Sequence, residues 1–359
     1  LPGGFVRTSP LEIMKNNMVN KALNFIGGIP DIILRNVPDI TRSENPVGYD
    51  EYLSNLKFYS PPNWRNKSFL YLPDSAPGFE EHSSRNFIAG IVKVLRYSSR
   101  YQVRNPAMES EFNKHKANLS GYFHTWRHDQ DEQRPLVLCI HGFMMGSPRR
   151  AMRMFKIKRL YDMGVDVGLY TIPHHWKRSD NPPEQHLLCP ENVPMTIETV
   201  GQNIHDLHSA VLLLKHLGYD KIGIIGASLG GFTAALYATF DVPVDFMFMV
   251  VPAINFNHYL SPSRARFSFR VDSEIEEKTS EALQLVSALN YKPVFDVNKI
   301  SVVMHAGDRL AEAKTTREWI KKWSILNCVE VTGGHWLYFD RDIRGKTWYG
   351  RLREMGYIE

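Results

Sequence analysis

A chain of 359 residues, 43% of them hydrophobic, is long enough to bury a sizeable core, and 23% charged with 12% aromatic residues excludes a disordered polymer. The formal net charge of +5 is small against 43 basic and 38 acidic residues spread without a dominant block, which argues against nucleic acid as the main partner. Three cysteines, Cys139, Cys189 and Cys328, without a CxxC spacing, suggest neither a disulfide framework nor a zinc site, so a reducing, cytoplasmic setting without a metal or other cofactor is expected.

Residues 1–130 alternate apolar patches with proline-rich punctuation, as at Tyr59-Ser60-Pro61-Pro62-Asn63-Trp64, and are read as an N-terminal extension packed on the main domain. Within them, Met18 to Leu34 is apolar but interrupted by Gly27, Gly28 and Pro30; core packing is the expected role, and peripheral contact with a membrane the alternative. No apolar stretch reaches the length of a membrane span, and the first residues do not read as a signal peptide.

From Arg134 the rhythm changes. Short apolar runs at 136–140, 166–172, 221–225, 246–251, 301–305 and 328–331 alternate with helical patterns over 152–163, 195–217, 231–239, 274–289 and 314–323. Continuous β-rich runs without polar alternation are what a parallel sheet covered on both faces requires. Residues 131–359 are therefore expected to form one α/β domain, a mainly parallel sheet flanked by helices, with a short cap-like insertion at about 255–296. The basic run from Arg149 to Arg159 reads as a solvated helix face, with contact to an anionic surface or substrate as the alternative.

The sharpest signal is Gly226-Ala227-Ser228-Leu229-Gly230-Gly231, directly after a strand run and directly before a helix run. A serine on such a turn needs small neighbours two positions to either side, and the helix that follows directs free N–H groups and a positive dipole end toward it. Upstream, His141-Gly142-Phe143 follows the run ending at Ile140; downstream, Gly307-Asp308 and Gly333-Gly334-His335-Trp336 follow two further runs. The order is Ser, Asp, His, each just past a different strand, where parallel sheets place their sites.

Over residues 134–345 this pattern resembles the α/β-hydrolase superfamily, and the segment from Pro173-His174-His175 to Ser228 is similar to members of the domain-containing-18 type. The resemblance implies Ser228 as nucleophile, His335 as base, Asp308 as the orienting acid, and the N–H groups of Phe143 and Leu229 as the oxyanion hole. Met144 is the alternative to Phe143, Asp340 and Asp342 are alternative acids, and His141 is expected to brace the loop. Met144, Met145 and Trp336 suggest an apolar pocket lining, and His174, His175 and Arg178 are candidate substrate contacts at the same sheet edge. The expected activity is hydrolysis of carboxylic esters of apolar acyl or aromatic groups through an acyl-enzyme. A thioesterase or acyltransferase using the same residues is the neighbouring reading, and a non-catalytic interaction protein retaining the fold is the reading from a different class.

Overall fold

The computed structural model describes residues 10–35, 47–64, 68–88, 90–128, 133–143, 145, 147–180 and 188–359. Among them, nine strands form one sheet: β1 (Phe79–Phe87), β2 (Gly90–Ser98), β3 (Ser120–His128), β4 (Leu136–Ile140), β5 (Asp166–Tyr170), β6 (Ile222–Ala227), β7 (Phe246–Val250), β8 (Ile300–His305) and β9 (Asn327–Val331). Their order is β1-β2-β3-β5-β4-β6-β7-β8-β9. The first three strands pair antiparallel, and β3 runs antiparallel to β5; from β5 to β9 every pairing is parallel.

The helices are α1 (Pro10–Gly27), α2 (Ile29–Arg35), α3 (Tyr49–Tyr59), α4 (Pro106–Lys114), α5 (Pro148–Met154), α6 (Ile157–Asp162), α7 (Val193–His216), α8 (Leu229–Tyr237), α9 (Ser273–Leu283), α10 (Ala313–Trp323) and α11 (Arg341–Glu354). Alternate residues of each parallel strand enter two cores. Leu138, Ile224 and Met247 pack under α3, α7, α8, α9 and α10, whereas Cys139, Ile225 and Phe248 pack under α5, α6 and α11. Both faces are covered, which is why the strand sequences are continuously apolar. The fold class expected from the sequence is the one observed, an α/β architecture with a mainly parallel sheet flanked by helices.

Two sequence expectations are corrected. The boundary at residue 130 cuts through the sheet, because β1, β2 and β3 all lie before it and extend it by hydrogen bonding. β1, Phe79-Glu80-Glu81-His82-Ser83-Ser84-Arg85-Asn86-Phe87, is exposed along nearly its whole length, so no buried face marks its sequence. The segment 255–296 does not act as a cap over the cavity described below, since none of its residues lines it. Its apolar side chains serve a core instead: Ile275, Ala282 and Leu283 are buried beside α3 and α7, and Phe267 and Phe269 stack against Tyr52 and Tyr49 at 4.8 and 5.4 Å.

Nearly all of α7 is buried, including polar residues, and its buried carboxylates are paired as burial demands. Glu198 accepts from the hydroxyls of Tyr59 and Tyr101, both at 2.7 Å, and from the N–H groups of Arg104 and Asn105 at 3.0 and 2.9 Å. Asp206 meets Arg178 at 2.6 Å with both side chains fully buried. Through Glu198, residues 59–105 are bound to the half of the chain that carries the site.

Candidate active site

Ser228 sits between β6 and α8 with φ +53° and ψ −112°, a conformation that costs a non-glycine residue about 1–3 kcal/mol. Its N–H donates to Val250 O at 2.9 Å, and its carbonyl accepts from Phe232 N at 2.9 Å, so strand and helix hold it from both sides. The glycines are sterically required: a Cβ at Gly226 would collide with the Gly230 carbonyl, and one at Gly230 with the carbonyl of Ile140 at the end of β4. The side chain is partly exposed into a cavity of about 490 Å³.

Asp308 follows β8 and His335 follows β9. Asp308 Oδ2 lies 2.7 Å from His335 Nδ1, while Asp308 Oδ1 accepts from the N–H groups of Leu310 and Ala311 at 2.9 and 2.8 Å. Both side chains are buried, at 3% and 7% exposure. Burial disfavours the charged imidazole of His335, but the neighbouring carboxylate of Asp308, its hydrogen bond and the charge of Asp31 outweigh it, so the pKa is raised above its ordinary value. Of the alternative acids, Asp340 accepts from Thr332 N at 3.1 Å and Asp342 is exposed on α11. Ser228 and His335 line the same cavity.

Leu229 is the first residue of α8, where helical N–H groups have no partner within the helix. Phe143 lies in the loop after β4. Among the described residues no backbone acceptor pairs with the N–H of either. His141 braces this loop: Nε2 accepts from Ile172 N at 3.2 Å, so the proton is on Nδ1, which donates to Gly142 O at 2.9 Å. Burial, then the nearby His175, hold His141 well below the ordinary histidine range.

The remaining candidate contacts divide. Met145 and Trp336 line the cavity; Met144 lies outside the described residues. His174, His175 and Arg178 do not line it, which corrects the expectation that they meet substrate. Arg178 is spent on Asp206, Thr171 O and Asn118 O, and His174 pairs with Asn118. The Nδ1 of His175 is 2.9 Å from Pro173 O, and burial lowers its pKa to about 4. A buried histidine or arginine bonded to its own loop positions that loop.

The cavity runs from Ser228 and His335 along the sheet face between α5 and α11. Ile225, Phe248, Val250, Phe155 and Trp348 give it apolar walls, and Arg153, Lys156 and Arg344 lie on its lining. The apolar walls were not singled out in the sequence, because strand and helix apolar residues look alike whether they close a core or leave a cavity; Arg153 and Lys156 belong to the basic run read as a solvated helix face. Also missed were Asn24 and Asp31, which reach the site from α1 and α2: Asn24 Oδ1 accepts from Gly333 N at 2.8 Å, and Asp31 Oδ2 from His335 N at 2.8 Å. No pattern in residues 18–34 announces that destination. Among the described residues no group of three or more His, Cys, Asp or Glu is arranged to hold a metal ion.

Sheet order, the strained serine between β6 and α8 and the strand-end placement of the acidic and histidine loops define an α/β-hydrolase fold. Acetyl xylan esterase 1 from Thermoanaerobacterium sp. JW/SL YS485 aligns with a TM-score of 0.55 and 13% identity over 86% of this chain and 94% of its own. The acetyl xylan esterase of Paenibacillus sp. R4 aligns with 0.52 and 12% over 91% and 98%. At that identity the likeness is one of fold. No family model matches the chain. In sequence it is similar to two uncharacterized proteins of Mycobacterium tuberculosis, from strains CDC 1551 and H37Rv, each 24% identical over 228 residues. The alignment spans 62% of this chain and 54% of theirs, so the chain spans about half the length of the curated relatives it matches.

Proposed function

We propose that the chain is a serine hydrolase of carboxylic esters with apolar acyl or aromatic groups. The observation that carries this reading is the 2.7 Å contact between Asp308 and His335, with His335 and Ser228 on one cavity wall. Ser228 Oγ attacks the ester carbonyl while His335 takes its proton. Asp308 fixes the tautomer that presents Nε2 and stabilises the imidazolium. The N–H groups of Leu229 and Phe143 receive the developing oxyanion, each such donor being worth about 3 kcal/mol of barrier. His335 then protonates the departing alcohol, and water, activated by the same imidazole, releases the acid.

A cavity of about 490 Å³ with apolar walls and Arg153, Lys156 and Arg344 on its lining falls in the range of small-molecule sites and accommodates an acyl chain or ring. The test is labelling with a fluorophosphonate followed by turnover of a series of p-nitrophenyl esters. Labelling of Ser228 and a rise in kcat/KM from acetyl toward medium-chain esters are expected; absence of both would refute the reading. Thioesters and acyl transfer use the same acyl-enzyme, and a parallel series of thioesters ranks them. A scaffold role is the outcome if neither labelling nor turnover occurs.

Contact with a membrane surface belongs to the same reading. Phe25, Ile26 and Ile29 are exposed on helices that meet, at Gly27, the segment bearing exposed Trp336, Leu337 and Phe339, and these apolar side chains suit peripheral association. Among the described residues no helix is long and apolar enough to cross a membrane.

A further inference from the structure

The loops bearing Asp308 and His335 meet directly, Gly307 N–H donating to Gly333 O and His305 Nδ1 to Gly334 O, both at 2.8 Å, and one carboxylate of the N-terminal helices bonds to both of them. Asp31 is fully buried. Its Oδ2 accepts two backbone N–H groups: that of His335 at 2.8 Å and that of Arg309, the residue after Asp308, at 3.1 Å. Its Oδ1 is buried and has no hydrogen-bond partner. The approach is close enough that side chains are forbidden: a Cβ on Gly27 would meet Gly333 and Gly334 backbone, and one on Gly334 would meet the Gly27 carbonyl. Asn24 adds the bond to Gly333 N.

From this geometry we propose that Asp31 is a positioning residue for the reaction, clamping the acid-bearing loop to the base-bearing loop and placing a second negative charge behind His335. The proposal rests on the serine-hydrolase reading for its consequence in turnover, though not for the clamp itself.

The physical argument has two parts. A backbone N–H buried without an acceptor is costly, so the two donors orient toward whatever oxygen is present, and one oxygen shared between them adds to the Gly307–Gly333 and His305–Gly334 bonds in holding the separation of the loops. That separation sets the 2.7 Å contact of Asp308 Oδ2 with His335 Nδ1. A misplacement on the order of 1 Å in such an arrangement costs about 100-fold in rate. The second part is electrostatic. Burial pushes the pKa of Asp31 above the ordinary carboxylate value, against the two N–H donors that favour its anion; once ionised, a buried carboxylate near the imidazole stabilises the imidazolium that forms as Ser228 attacks. The charged groups facing His335 are therefore Asp308 and Asp31, and they act in the same direction.

The clamp explains the sequence between Asn24 and Asp31. A helix that ends at Gly27, with Gly28 following and Asp31 in the first turn of α2, lets the backbone approach the His335 loop and aims a carboxylate at it.

The experiment compares Asp31→Asn and Asp31→Ala with the parent protein in two measurements. One is the NMR titration of the His335 imidazole, which needs no turnover. The other is the pH dependence of the fluorophosphonate inactivation rate. Asp31→Asn keeps an acceptor oxygen and removes the charge, so the imidazole is expected to titrate at lower pH, and the rising limb of inactivation should move with it, at little change in thermal midpoint. Asp31→Ala removes the clamp and is expected to slow inactivation by about 10- to 100-fold. An unshifted His335 titration in Asp31→Asn, or inactivation of Asp31→Ala at the parent rate, overturns the proposal. If Asp31→Ala does not fold, the Asn variant decides alone. Should the parent protein resist the fluorophosphonate, the hydrolase reading fails while the titration still tests the clamp.

Discussion

Ser228 combines a positive φ in a non-glycine residue with a place on the cavity lining, as do Lys156 and Val251. Strain of this kind persists only where the surroundings hold it, here by bonds to β7 and α8. Alanine fits the same backbone, so Ser228→Ala is expected to abolish fluorophosphonate labelling and ester turnover while leaving the circular dichroism spectrum unchanged. His335 must be neutral to accept the serine proton, and its pKa is raised, so the neutral base is populated at a higher pH than for an ordinary histidine. kcat/KM should therefore increase with pH through an apparent pKa above 6.5. A limb at or below that value would contradict the ion pair with Asp308. Asp308→Asn removes the charge and can stabilise the wrong tautomer; a loss of about 10⁴-fold in acylation is expected from single-turnover kinetics. Near-normal acylation in that variant would dismiss Asp308 as the acid.

Among the elements, α7 behaves unlike an amphipathic surface helix, because its charged residues are buried and each must find a partner in another segment. Arg178, Asp206, Ser99 and Asn118 form one such set, tying α7 to the loop after β5. Asp206→Ala leaves the guanidinium of Arg178 buried without its carboxylate and is expected to lower unfolding free energy by about 3–5 kcal/mol in a denaturant titration. A change under about 1 kcal/mol would indicate that water reaches Arg178 in the variant. The loop carrying His174 to Arg178 is thus a brace; its histidines and arginine attracted attention as substrate contacts because residue type and strand-end position alone do not reveal which side chains are already bonded.

At the scale of the molecule, the site depends on parts of the chain separated by about 300 positions, from Asp31 to His335. The same N-terminal helices carry exposed Phe25, Ile26 and Ile29, and Gly27 lies against the backbone of Gly334 and Leu337 in the segment that bears exposed Trp336, Leu337 and Phe339, of which Trp336 lines the cavity. Replacing Phe25 and Ile26 together by aspartate is expected to reduce co-sedimentation with phosphatidylcholine vesicles several-fold while sparing turnover of a short soluble ester. Unchanged co-sedimentation, or none by the parent protein, would remove membrane contact from the reading.

What was legible in the sequence is local. The runs from Leu136 to Val331 gave six parallel strands because a strand covered on both faces must be apolar throughout, and the glycines around Ser228 were visible because a sharp strand-to-helix turn tolerates nothing larger. The positions of Asp308 and His335 could be read as strand ends for the same reason. Tertiary structure alone decided the rest. β1 and its neighbours join the sheet by backbone hydrogen bonds that leave little trace in side-chain pattern. Phe267 and Phe269 could cover a pocket or fill a core, and only the position of α3 selects the core. Asp31 has an ordinary place at the start of a short helix; its role comes from two N–H groups that the fold carries to it from segments 278 and 304 residues away.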